Sequence, residues 1–571
     1  MSNRTLQDIY LKPWRAFGAA GGRGVMPSHN TINGVPAHAN GPLLNGQLRN
    51  GFGFGLGVSV SDCNDIGALE DFRIAANATD RAAIALRAGV DMDLMCADSS
   101  QWSYTSLQAA LQEGLASEAD LDAAVTHVLT HKFGAGLFDS PITPANATQN
   151  LNLPSHRELA REAAQQGSVL LKNDGSTLPL AAKGPGGAAP RVLVVGENGG
   201  CGPASRPGPP TDGCSARINI MGSYTQVSAF INVSTVHEAL AASGWAAASG
   251  ARVSFSQGAV IDHDDASLIP AAVQAAQSAD VVVAVLGDSL STCGEWVDRD
   301  SLDLPGSQLA LLAALQANTT ADIVVVLIHG RPATFGPGNG LLGGAAALVS
   351  SFRPGQMGAE GIVDILTGAA NPSGRLAQNW PRSVGDVHSG ASPWLQERVG
   401  KWVANSRGTV VDPDGRRYDP YQDGPTTGSP LFRLGDGLSY TTYELSDLKV
   451  SVYAAVAEAA KVSAEGAVGR RTLMTAAVTV TNTGAVAGEC VVQLYGVDPV
   501  AVGVVRPWKR IFGFARVHVA PGQAVQAEVP VIVDDVAFHG VDMLYRVVGG
   551  EYTVRAGLSS GTDTLTAPVA V

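Results

Sequence analysis

GVSVSD (57–62) reads as a short strand that carries apolar residues up to a polar end at Asp62. Two other stretches share its texture, GRGVMPSHN (22–30) and GVDMDLM (89–95). Before the second of these lies RIAANATDRAAIALRAG (73–89), Ala-rich and spaced as a helix. Strand followed by helix, repeated, predicts parallel strands. In a (β/α) barrel the reactive side chains stand where strands end and loops begin, and His29, Asp62 and Asp93 fall at those ends.

A closed barrel of this kind takes about 250 residues, whereas this texture occupies only residues 1–140. Three strands do not close a barrel, and an open parallel edge leaves backbone groups unpaired. The expectation is the C-terminal part of an incomplete (β/α)8 barrel, with several βα units unaccounted for.

Residues 141–158 read as a linker. From 159 to 385 come continuous apolar runs, RVLVVG (191–196), DVVVAVLG (280–287), DIVVVLIHG (322–330) and AALVSSF (346–352). Runs without alternation are buried on both faces. With helical stretches such as PGSQLALLAALQ (305–316) between them, they predict an α/β sandwich domain, a parallel sheet covered on both sides. A Gly-, Pro-, Asp- and Ser-rich connecting segment follows at 386–434. Residues 435–571 change to short alternating strands, LMTAAVTVTNTG (473–484), CVVQLYGV (490–497), AVQAEVPVIV (524–533) and GEYTVRAGL (550–558), the signature of an antiparallel β-sandwich.

The chain has 571 residues, a formal net charge of -13, 45% hydrophobic and 16% charged residues. That length implies several domains, and the acidic balance excludes nucleic acid and anionic membranes as natural partners. The longest apolar runs fall far short of the roughly 20 residues of a membrane span. MSNRTLQDIY, at the start, has no apolar secretory core. The six cysteines show no zinc spacing, but Cys201 and Cys214 flank a Gly/Pro-rich loop that a disulfide would close. Sequons stand at Asn77, Asn146, Asn232 and Asn318.

Two acids are candidates for chemistry. Asp62 at its strand end suits a nucleophile or base, although the commoner role of an Asp there is capping. Glu295 lies in GDSLSTCGEWVDRDSLDLPG (287–306), a polar loop leaving a parallel strand, where such sheets place ligands. A solvated Glu is the plainer reading of that position. Asp288 and Asp300 are its neighbours, and Asp298 with Arg299 reads as an ion pair that fixes the loop. His29 is either a substrate contact or a structural hydrogen-bonder. No P-loop, dinucleotide fingerprint or HExxH is present, and VVGENGGCG (194–202) lacks the glycine spacing of a phosphate site.

Taken in order, IYLKPWRAF (9–17), GVMPSHNTINGVPAHAN (24–40), VSDCNDIG (60–67), AGVDMDLM (88–95), LLKNDGSTLPL (170–180), TCGEWVDRDSLDLPG (292–306), the run from RPGQMGAEG (353–361) to NWPRSVG (379–385), GDGLSYTTYE (435–444) and RPWKRIFGFARVHVAPGQ (506–523) resemble the family-3 glycoside hydrolases, the β-glucosidase and β-xylosidase group. The resemblance implies a (β/α) barrel, an α/β sandwich and a fibronectin type III-like domain. It implies Asp62 of Ser61-Asp62-Cys63 as nucleophile and Glu295, shortly before an Asp-Arg pair, as acid/base. It also implies Met26, His29, Ser61 and Trp296 as substrate-binding residues, with no metal and no cofactor. Double displacement then gives retention, for which the two carboxyl groups stand roughly 5–5.5 Å apart.

The sequence departs from that pattern twice. Relatives usually carry Tyr at the position of His29, and they have barrel strands ahead of the IYLKPWRAF equivalent that hold sugar-gripping residues. The implied activity is exo-hydrolysis of terminal β-D-xylosyl or β-D-glucosyl residues, on an oligosaccharide or aryl glycoside, in an extracellular or cell-wall location. The alternative is a catalytically impaired fragment or degenerate paralogue that at most binds carbohydrate.

Overall fold

The computed structural model describes residues 2–96, 102–140, 142–143, 147–202, 213–225, 231–384, 410–411, 417–418, 430–500, 502–504, 506–507 and 509–571. Most of the connecting segment 386–434 and the sequon at Asn146 lie outside the described residues. The chain divides into two compact units, one of Met1–Asn150, Ala459–Arg471 and Ala537–Val547, the other of Leu151–Glu458, Thr472–Val536 and Val548–Val571.

The first unit holds β1 (Gly24–Val25), a hairpin of β2 (Thr31–Ile32) and β3 (Val35–Pro36), and β4 (Val58–Ser59). β1 and β4 pair in parallel, Gly24 opposite Val58 and Val25 opposite Ser59. Val60 continues the ladder with a parallel bridge to Met92. The three expected strand ends are thus aligned side by side, although the regular strands are shorter than the apolar runs. Helix α1 (Ala78–Ala88) begins later than the sequence pattern suggests, because Asn77 is its cap and accepts the Asp80 N–H at 2.9 Å. It ends at Gly89, whose φ of 100° favours glycine.

Beneath the ladder, Val25, Leu44, Phe54, Ile66, Leu69, Ala85 and Val90 form one buried cluster. Beside it Asp91 is buried and fully occupied. Its Oδ2 accepts from Arg49 Nη2 at 2.6 Å and from the Ser59 N–H at 2.8 Å, and its Oδ1 lies 2.7 Å from Nδ1 of His127 on α2 (Glu118–Gly134). Arg49 also donates to the carbonyls of Gly55 and Gly57. Two segments that the sequence places in the C-terminal sandwich pack here instead. Arg4 donates to the carbonyls of His539 and Gly540 at 3.0 Å each, Asp8 meets His539 Nδ1 at 2.6 Å, and the Ala464 N–H donates to the Tyr545 carbonyl at 2.9 Å.

The second unit is built on a six-stranded sheet. Its strands are β5 (Val169–Asn173), β6 (Arg191–Val195), β7 (Arg252–Ser256), β8 (Val281–Gly287), β9 (Asp322–Ile328) and β10 (Ala347–Ser350), in the order β5-β10-β9-β8-β6-β7. All neighbours run parallel except β5, which lies antiparallel on β10, so the expected all-parallel sheet is in fact mixed. The run of β8 explains the continuous apolar pattern. Val282, Ala284 and Leu286 pack with Ala272 and Ala276 of α3 (Ile269–Ala276) and with Leu311 and Leu315 of α4 (Gln308–Asn318). Val283 and Val285 face the opposite side, against Ile362 and Leu366 of α5 (Gly358–Thr367).

Beyond residue 440 a three-stranded sheet of β11 (Tyr443–Val452), β12 (Thr472–Asn482) and β15 (Ala524–Ile532) accompanies a four-stranded one of β13 (Gly488–Val497), β14 (Arg510–Val519), β16 (Glu551–Gly557) and β17 (Leu565–Ala570), ordered β14-β13-β16-β17. All of these pairings are antiparallel.

His329, after β9, is fully buried. Its Nδ1–H donates to the Arg331 carbonyl at 2.8 Å, and its Nε2 pairs with the Ser350 hydroxyl at 2.8 Å, a bond the neutral ring makes by accepting the hydroxyl proton. Burial pushes its pKa down to about 4. The folded chain then refuses a proton that the unfolded chain takes near pH 6.5. Stability is whole above that pH and falls as pH drops from about 6.5 to about 4, by on the order of 3 kcal/mol. Urea unfolding across this range checks it, and H329Q should flatten the slope.

Candidate active site

Asp62 owes its place to the ladder. The Val60 N–H donates to the Val25 carbonyl and the Ser61 N–H to the Met92 carbonyl, both at 2.9 Å, so the backbone is held up to the residue before the acid. Ser61 itself, expected as a substrate contact, is fully buried. Its Oγ accepts the Leu94 N–H at 2.8 Å, which makes it a brace between two strand ends. Asp93, at the neighbouring end, accepts the N–H groups of Ser103 and Tyr104 at 2.8 and 3.0 Å and thereby caps the turn that follows.

The Asp62 side chain is 31% exposed, and each of its oxygens has a neighbour. Oδ1 accepts the Cys63 N–H at 2.7 Å. Oδ2 lies 3.0 Å from His29 Nε2. The other nitrogen of that ring, Nδ1, is 2.5 Å from Asp65 Oδ1. His38 completes the group from behind. Its Nε2 accepts the Asp62 N–H at 3.3 Å, and its Nδ1 stands 3.3 Å from Asp65 Oδ2 in an approach too skewed for a hydrogen bond. His38 is buried and its pKa is lowered, first by desolvation, against the pull of Asp65, Asp62 and Asp93. A neutral His38 with its hydrogen on Nδ1 agrees with that direction and with the bond it accepts.

Sequence reasoning missed Asp65 and His38. Both sit inside quoted motifs, Asp65 three residues after Asp62 and His38 nine after His29, but no periodicity brings them together. Donor atoms of His29, Asp62 and Asp65 lie within 4.8 Å of one another, a compact cluster in which one imidazole stands between two carboxylates.

The sequence also gave no sign of the Cys63–Cys96 disulfide, which ties the residue after Asp62 to the end of the next strand, with Cα atoms 5.5 Å apart. The Cys201–Cys214 bridge closes the loop expected of it.

In the second unit Glu295 is exposed, in a turn closed by a bridge between Gly294 and Val297. Trp296 beside it has a φ of 64° and is 94% exposed. The anticipated Asp298–Arg299 pair is replaced by another. Arg299 Nη1 lies 3.5 Å from buried Asp288 and its Nη2 donates to the Asp303 carbonyl at 2.6 Å. The buried carboxylate holds the guanidinium because there the charge cannot be met by water. Of the remaining expected contacts, Met26 is exposed next to β1.

Comparison with known proteins gives the same three-part order. Residues 1–131 match the glycosyl hydrolase family 3 N terminal domain, 168–440 the glycosyl hydrolase family 3 C-terminal domain, and 490–560 a fibronectin type III-like domain. A β-xylosidase of Formosa agariphila is 32% identical over 99% of this chain and 71% of its own length. A periplasmic β-glucosidase of Salmonella typhimurium is 32% identical over 98% of this chain and 69% of its own. The solved β-glucosidase of Erythrobacter marinus superimposes with a TM-score of 0.77 at 30% identity, covering all of this chain and 70% of that one. Fold and sequence together define a glycosyl hydrolase. Similarity on this scale settles the kinship, and the chain belongs to glycoside hydrolase family 3. Among the described residues no helix is long and apolar enough to cross a membrane.

With Cys293 and Cys490 the free cysteines, the denatured, unreduced chain should titrate two thiols, against six after reduction. Replacing Cys63 and Cys96 together by Ser should cost roughly 2–4 kcal/mol of unfolding free energy, read from urea unfolding under oxidising conditions.

Proposed function

We propose that this chain is an exo-acting, retaining β-glycosidase that removes terminal β-D-xylosyl or β-D-glucosyl residues from oligosaccharides of xylan or β-glucan. Asp62 attacks the anomeric carbon while Glu295 gives its proton to the departing glycosidic oxygen. Glu295 then takes a proton from water, the resulting hydroxide displaces Asp62 from the glycosyl-enzyme, and two inversions restore the starting configuration. The chemistry takes no metal or organic cofactor.

The observation that supports this reading best is the state of Asp62, a partly exposed carboxylate at the end of a parallel strand with a neighbour at each oxygen. A nucleophile needs that combination of access and fixed direction. The names of the two relatives, a β-xylosidase and a periplasmic β-glucosidase, point to the same substrates. Met26 and Trp296, both exposed, are the apolar surfaces proposed to meet the sugar, and Ser61 acts through the strand end it braces. The two disulfides suit an oxidising compartment, which favours an extracellular or cell-wall location.

Turnover of aryl β-xyloside and aryl β-glucoside by the folded chain is the test. D62A should lose at least about 1,000-fold in kcat. E295A should lose activity that azide restores as a β-glycosyl azide, and proton NMR should find the β-anomer formed first. A folded chain that binds xylo-oligosaccharide without turnover would favour the impaired alternative.

A further inference from the structure

Glu295 is exposed, and a general acid has to meet the glycosidic oxygen at a fixed point, so the restraints on its loop bear directly on its chemistry. The loop leaves β8 at Asp288, a buried carboxylate that gathers three pieces of the second unit. On the outgoing limb the Thr292 hydroxyl stands 3.4 Å from its Oδ1. On the returning limb Arg299 brings Nη1 to 3.5 Å from the same oxygen, and beyond β9 the Gly330 N–H donates to Oδ2 at 3.2 Å. Both limbs are thus tied down at their bases. The tip between them folds back on itself through the Val297 N–H, which donates to the Gly294 carbonyl at 3.3 Å. One long bond within a turn that faces water is a weak restraint.

Arg331 adds the stronger one. Its Nη2 carries two hydrogens and donates to the Thr292 carbonyl at 3.1 Å and to the Val297 carbonyl at 2.9 Å. These acceptors stand three residues before Glu295 and two after it, so one amino group pins both feet of the turn that carries the acid. Bonds from a charged donor are roughly twice as strong as neutral ones. Arg331 is anchored in its turn. Its carbonyl accepts from Nδ1 of the fully buried His329 at 2.8 Å, and the Gly330 N–H just before it is the one that Asp288 accepts. The place of the tip is therefore inherited from the core at the end of β9, through a guanidinium and not through the loop's own residues.

We infer that Arg331 is a positioning residue of Glu295, pinning the feet of its turn and thereby the direction from which the carboxyl group meets the leaving oxygen. It touches no substrate in this role. That role rests on the acid/base reading of Glu295 proposed above, whereas the ordering of the turn by Arg331 does not.

The test uses the full chain. R331M keeps an unbranched stem and removes both hydrogen bonds. Its kcat/KM, which reports the steps up to the glycosyl-enzyme, should fall about 100-fold on a phenyl β-xyloside or β-glucoside, whose leaving group needs the proton. On the dinitrophenyl glycoside, whose leaving group departs without one, it should change little. E295A should show the same selectivity, and the double variant should lose little more than E295A alone. Hydrogen exchange should be faster across 292–298 in R331M, with β8 and β9 unchanged. Equal losses on both glycosides, no loss on either, or losses that add in the double variant overturn the positioning role. If R331M does not fold, R331K, a shorter cation without the guanidinium fork, takes the same comparison. An E295A without leaving-group selectivity would sink the acid/base reading and the positioning role with it, while exchange in 292–298 still decides whether Arg331 orders the turn.

Discussion

Asp91 has no water to rely on, and a carboxylate in that position must find its donors within the protein. It finds them in three parts of the N-terminal unit, the Arg49 guanidinium, the Ser59 N–H of β4 and the His127 ring of α2. Loss of one partner would leave a buried charge uncompensated, at a cost of about 3–5 kcal/mol. The strand, the helical segment Pro42–Gly51 that carries Arg49 and a distant helix are thereby locked in one arrangement. The ladder of Val25, Val60 and Met92 is built on that lock, and Asp62 is delivered from its end.

A partly exposed carboxylate such as Asp62 is free to rotate unless something restrains it. At Asp62 that freedom is limited by neighbours of different kinds. The Cys63 N–H belongs to a backbone restrained by the Cys63–Cys96 bridge, and the His29 ring belongs to a side chain seated on Asp65. His38 supports the group from below through the Asp62 N–H. The outer pieces are exposed while the pieces behind them are buried, so orientation is inherited from the core.

The second unit follows a simpler logic. Strands β8 and β9 are buried on both faces, and their apolar runs announce it. The edge strands do not. β7 is only partly covered, so its residues need not be apolar throughout, and β5 combines three buried residues with a polar end. Both were absent from the sequence reading for this reason, and the antiparallel direction of β5 is a property of its pairing with β10 that no local pattern encodes.

The amino-acid order alone determined the three textures, the central strands, the strand end at Asp62, the loop that carries Glu295 and the bridge across Cys201 and Cys214, because periodicity and turn chemistry are local. Tertiary structure decided what meets at those places: the pairing of His29 with Asp65, the His38 ring behind the Asp62 N–H, the second disulfide, the Asp288 partner of Arg299, and the packing of 459–471 and 537–547 with the N-terminal unit. These contacts join residues far apart in the chain or on different elements. Their energies come from burial and from satisfying charge, and neither is defined until the chain has folded.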